Sequence, residues 1–137
     1  HMTTLYPFKE ILICGKDYSE IAQKRQSLHD LLNIPFISLT DGTATHDSHH
    51  QYFFDNHLKF APDIEAATTD QIIPMVIHNL GIGFCPEKLA KPFIESGDIL
   101  QIPLIESELE REICLIQDIS RGTSIAVSKL INMLIED

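Results

Sequence analysis

VIHNLGIGFCPEKL, residues 76–89, decides the fold. Its first half carries apolar residues at helical spacing with the preceding turn: Ile72, Ile73, Val76, Ile77 and Leu80. Gly81 then ends the helix as its C-cap. GIGFC is short, apolar and β-rich, which predicts a strand. Pro86 follows at the favoured first position of a second helix, which runs to about Ser96 with Gly97 behind it. A helix–strand–helix unit of this kind belongs in an α/β layer with a parallel sheet.

The same alternation extends outward. KEILICG, 9–15, reads as a buried strand, and the polar KDYSEIAQKRQ follows it. Ser27 and Asp30 have the spacing of a capping box before one or two helical turns. Pro35–Leu39 is a second apolar strand, and Thr43 caps a helix to about Leu58. Ile64–Thr68 is a short strand, after which Thr69 or Asp70 caps the helix that carries Pro74. ILQIPL, 99–104, and residues 111–118 are further strands, joined by the acidic ESELERE as a solvated tip. Thr123 caps a last helix whose apolar residues 125, 126, 127, 130, 131, 134 and 135 form one wide face. The expected fold is a three-layer α/β domain, a mostly parallel sheet with helices on both faces. At least one of strands 9–15 and 111–118 should be antiparallel.

Composition narrows the function. The 137 residues suit one domain, and 44% apolar content supports a real core. No apolar run spans a bilayer and no signal-peptide pattern opens the chain, so a cytoplasmic protein without membrane partners is expected. Twenty acidic against ten basic residues give a net charge of −10, which opposes direct nucleic-acid contact by this fragment. Cys14, Cys85 and Cys114 each lie in apolar runs with no metal-like spacing and read as buried thiols.

IPFISLTDGTATHD, 34–47, is the richest candidate site. In open α/β sheets ligands settle beyond the carboxyl ends of the strands. Thr40 and Gly42 would stand at such an end, with Thr43, Thr45 and His46 at a helix N-terminus that offers free N–H groups. A carboxylate or small polar ligand would suit that cup, although an ordinary capped loop has the same composition. Gly83 inside a strand marks close backbone approach. His46, His49, His50 and His57 raise the question of a metal, but no cysteine joins them, and no metal or cofactor is expected. Cys85 with His78 is a weak basis for a nucleophile, and no enzyme activity is expected.

Taken in order, ILICGKDYSEIA, SLHDLLNIPFISLTDGT, VIHNLGIGFCPEKL, REICLIQDI and TSIAVSKLINMLIED resemble the effector-binding domain of LysR-type transcriptional regulators. The resemblance runs from about Leu5 to the end, and the third motif is the most specific. It implies one lobe of a type 2 periplasmic-binding-protein-like fold, mainly the second regulatory lobe. Residues 3–137 would be that lobe, with 103–137 as its returning strand and C-terminal helix; His1-Met2 reads as an expression remnant. It further implies a small-molecule effector bound in an interlobe cleft by Thr40, Gly42, Thr43, Thr45 and His46, with Ile82, Gly83 and Phe84 as its floor. DNA would be bound through an N-terminal helix-turn-helix that this sequence lacks, in a homo-oligomer. The alternative is a freestanding small-molecule-binding or interaction domain.

Overall fold

The computed structural model describes residues 1–136 and places them in two compact units. The larger holds residues 9–109. Its strands are β1 (Met2–Cys14, of which residues 9–14 belong here), β2 (Phe36–Leu39), β3 (Ile64–Ala66), β4 (Ile82–Pro86) and β5 (Leu100–Gln101). The order across the sheet is β3-β2-β4-β1-β5. β2 runs parallel to both β3 and β4, whereas β1 is antiparallel to β4 and to β5.

Alternation along the strands builds the layers. Ile11 and Ile13 of β1 face one side, joined there by Ile37, Cys85 and the inner residues of α2 (Ile72–Ile77) and α3 (Glu87–Glu95). Leu12 and Cys14 face the other side with Ile82, Phe84 and the inner residues Tyr52 and Phe53 of α1 (Ala44–Asp55). Strand side chains point to opposite faces at every step, so a sheet buried on both sides needs helices on both. The three-layer arrangement is therefore as expected.

The differences in detail have local causes. β1 begins seven residues before Lys9, because the Thr- and Tyr-bearing segment 2–8 also takes an extended form. Asn79, at φ 60°, takes the left-handed position after α2, and Leu80 donates its N–H to the Met75 carbonyl at 3.1 Å. Gly81 is thus not the C-cap. A Cβ on Gly81 would lie 2.5 Å from the Pro35 carbonyl oxygen, and one on Gly83 would lie 2.9 Å from that of Ile37. Both glycines let β4 press against the β2 segment. Pro86 is the N-cap of α3 rather than its first residue. β5 stops at Gln101, and Pro103 has no N–H to extend a ladder. Glu106 is turned inward, accepting the Leu28 N–H at 2.8 Å, so the acidic tip is not wholly solvated.

Gly81→Ala should destabilise the chain by about 1–3 kcal/mol, because backbone must move to admit the methyl group. Gly122→Ala is the control, since a Cβ there meets nothing within 4 Å. Urea unfolding of the two variants side by side checks this.

The smaller unit holds residues 1–8 and 110–136. Here β6 (Leu109–Ile116) pairs with β1, and the guanidinium of Arg111 lies 5.5 Å from the Phe8 ring centre. Cys114 is only half-buried, beside the Thr4 hydroxyl at 4.0 Å. Ser124, not Thr123, accepts the Val127 N–H at the start of α4 (Ile125–Glu136). The helix has the expected apolar face, but none of its described residues is buried, and Ile125 is 77% exposed.

Candidate functional site

The loop after β2 folds as its composition dictates. Thr43 sits at the N-cap with extended backbone, and its hydroxyl accepts the His46 N–H at 3.1 Å. The same hydroxyl donates to the Thr40 carbonyl at 2.9 Å. Gly42 supplies φ 91°, a conformation other residues resist. This ties Thr40, Gly42, Thr43, Thr45 and His46 into one cap at the carboxyl end of β2. The first N–H groups of a helix lack intrahelical partners, and here the first of them belongs to Ala44.

Thr43 spends its proton on Thr40, so its remaining capacity toward a ligand is as an acceptor. His46 is different. Its Nδ1 is buried and has no hydrogen-bond partner among the described residues. The nearest acid groups are Asp41 at 3.6 Å and Asp47 at 4.0 Å, both largely exposed. One ligand atom from each of these three residues falls within 4.8 Å of the others. Two solvated carboxylates beside a helix start are common without an ion, and this trio assigns no metal. The four histidines weighed as a metal face separate, with His49 turned inward and His50 and His57 outward.

Ile82, Gly83 and Phe84 are all buried. Phe84 reaches the loop only through His49, at 5.5 Å between ring centres. Gly83 backs onto Ile37, and Ile82 lies under the opposite end of α1 near Phe36. None of the three meets solvent beneath the cap.

A buried polar chain lies behind this cap. The ring of His49, with no exposure to solvent, is 2.7 Å from a Glu10 oxygen through Nε2 and 3.0 Å from the Ser38 hydroxyl through Nδ1. Glu10 is 4% exposed and Ser38 is not exposed at all. The connectivity resembles a Ser-His-acid triad, but a nucleophile sealed from solvent has no route to substrate. The arrangement instead joins β1, β2 and α1 through one hydrogen-bonded chain. In sequence His49 is grouped only with His46, His50 and His57, as a possible metal face. The signal that would have found it is spacing, since His49 shares the inner stripe of α1 with Tyr52 and Phe53 at i+3 and i+4.

Other reactive groups are quenched by burial. The Cys85 thiol is pushed up to about 12, first by burial and then by the charge of Glu10. Burial pushes Cys14 up to about 11. An activated thiol needs the opposite shift. The Tyr52 hydroxyl, raised to about 12 by burial and then by Glu106, donates to the Ser107 carbonyl at 2.7 Å.

A family model described as the LysR substrate binding domain matches residues 1–137. Among curated proteins, none matches the chain significantly. Solved structures do. The regulatory domain of CcmR from Synechocystis PCC6803, in complex with 2-PG, superposes with a TM-score of 0.84 at 12% identity, covering 99% of this chain and 65% of that one. The effector binding domain of QuiR in complex with shikimate gives 0.80 at 10% identity, over 99% and 64%. Full-length HypT from Salmonella typhimurium gives 0.76 at 12% identity, over 98% of this chain and 45% of that one. The chain therefore spans under two thirds of the regulatory domains it matches, and under half of the full-length regulator. The shared architecture is the periplasmic-binding-protein-like fold of such domains.

Proposed function

Because the chain belongs to the LysR substrate-binding domain family, we propose that it is the second effector-sensing lobe of a LysR-type transcriptional regulator. The carrying observation is the family match along the whole chain. The full regulator would bind DNA through a separate helix-turn-helix, as a cytoplasmic homo-oligomer. Effector held between two lobes would shift a conformational equilibrium and so alter how the DNA-binding units sit.

Thr40, Gly42, Thr43, Thr45 and His46 would hold the polar side of the effector. The N–H of Ala44 and the orphan His46 Nδ1 give it partners. Asp41 and Asp47 add acceptors at the rim, which suits a ligand carrying hydroxyl donors beside any carboxylate. The shikimate bound by QuiR is a ligand of that kind. Ile82, Gly83 and Phe84 would act from beneath, as a rigid floor holding β4 and α1 in place. The apolar face of α4 would pack on the other lobe, which would also supply the rest of the pocket.

Thr45→Val in the full-length regulator tests the site. The effector concentration for half-maximal response should rise roughly tenfold, the usual effect of losing one hydrogen bond of about 1.4 kcal/mol to a ligand. An unchanged response in a reporter assay would remove the loop from the pocket.

A further inference from the structure

The opposite end of the same layer carries a cavity that shares Ile82 alone with the residues proposed for the effector. It has a volume of about 210 Å³ and lies at the amino ends of β2 and β4, away from the Thr40–His46 cap. Leu12, Leu31, Ile34, Phe53, Phe60 and Ile82 supply its apolar walls. Lys59 and Asp63 stand among its lining residues as the only charged ones described.

We propose that this cavity is a second small-molecule site, for a monocarboxylate bearing one aromatic ring or a short alkyl chain. Size supports the class: an apolar protein cavity of about 150 Å³ takes up benzene, and this one is somewhat larger. Apolar walls lacking packing partners on one side gain dispersion contacts from such a guest. Charge selects the head group. The Asp63 carboxylate already accepts the Phe36 N–H at 2.9 Å. Lys59 has no ion-pair partner among the described residues, which leaves its ammonium to meet an anion.

The cavity is also wired to the cap. The Phe60 ring packs on Phe53 at 5.1 Å and on His46 at 5.1 Å between centres. A guest that moves Phe60 therefore moves the environment of His46. That consequence rests on the effector reading of the cap; occupancy of the cavity does not.

The experiment is a titration of the 137-residue chain with phenylacetate, followed by amide ¹H–¹⁵N chemical shifts, with 2-phenylethanol as the uncharged comparator. Saturating shifts are expected at Leu31, Phe53 and Phe60, with half-saturation at roughly 1 mM or below for a ligand of this size. Lys59→Gln should weaken phenylacetate by roughly fivefold, the scale of an exposed ion pair, and leave 2-phenylethanol unchanged. Ala61→Leu, which places bulk on an exposed lining residue, should abolish both responses. The proposal is overturned if no shift saturates by about 10 mM. It is equally overturned if the shifts are confined to residues 40–46, or if Ala61→Leu binds as the parent does. Shifts confined to residues 40–46 would leave the effector reading standing while removing the second site.

Discussion

His49→Ala is expected to lower the unfolding free energy by about 3–5 kcal/mol, the cost of removing one partner from a buried charge-bearing pair. The imidazole is wholly enclosed and holds both Glu10, at 2.7 Å, and Ser38, at 3.0 Å. Its loss takes the ring from a carboxylate that is 4% exposed. For a domain of this size the melting temperature should fall by roughly 10 °C or more. Ser38→Ala touches only the neutral side of the chain and should cost about 1–3 kcal/mol. Thermal unfolding followed by circular dichroism separates the two. A His49→Ala protein within 1 kcal/mol of the parent, about the mean effect of any substitution, would mean that the hydrogen-bonded chain does not exist.

Phe84→Ala is expected to cost about 3–5 kcal/mol as well, for a different reason. Phe84 is 1% exposed and packs edge-on against Tyr52, at 5.5 Å between ring centres, and against Phe36, at 6.0 Å. It also supports the His49 ring from below, at 5.5 Å. Removing it opens a void in the layer between sheet and α1, which surrounding side chains fill only in part. Phe84→Leu keeps most of the volume and should cost under about 1.5 kcal/mol. The double variant Phe84→Ala, His49→Ala should fall short of the sum of its parts, because the two rings share one contact. Urea unfolding measures all three.

These two residues also mark where sequence reading ends. The strands and helices were legible because each carries its own local signal. Thr43 before α1, Pro86 before α3 and the Val76–Leu80 periodicity act over a few residues, and the structure keeps all three elements. The layering was legible for the same reason, since apolar runs such as ILIC can be buried only from both sides. Roles that depend on residues far apart in the chain were not legible. Glu10, Ser38 and His49 come from three separate elements, and nothing near any one of them announces the other two. Gly81 looks like a helix stop in sequence, and only the Pro35 carbonyl packed against it explains why no side chain fits.

The candidate site shows the same division. The Thr40–His46 cap is a local structure, and its hydrogen bonds follow from its composition. The floor residues Ile82, Gly83 and Phe84 were placed by the order of motifs in the chain, which carries no information about depth. The structure buries all three: Ile82 and Phe84 pack in the layer beneath α1, whereas Gly83 faces Ile37 and Ile72 on the other side of the sheet. The cavity at the other end of α1 was invisible because it is a mismatch in packing among Leu31, Phe53 and Phe60. Such mismatches leave no pattern in the sequence.

The central claim is that this chain works as one lobe of a longer regulator. An immunoblot of native host lysate, with antibody raised to this domain, tests it most directly. The account predicts a band at roughly twice the mass of this chain, since the chain covers 45% of full-length HypT. A single band at the chain's own mass would contradict it, and the domain would then be read as a freestanding binding module.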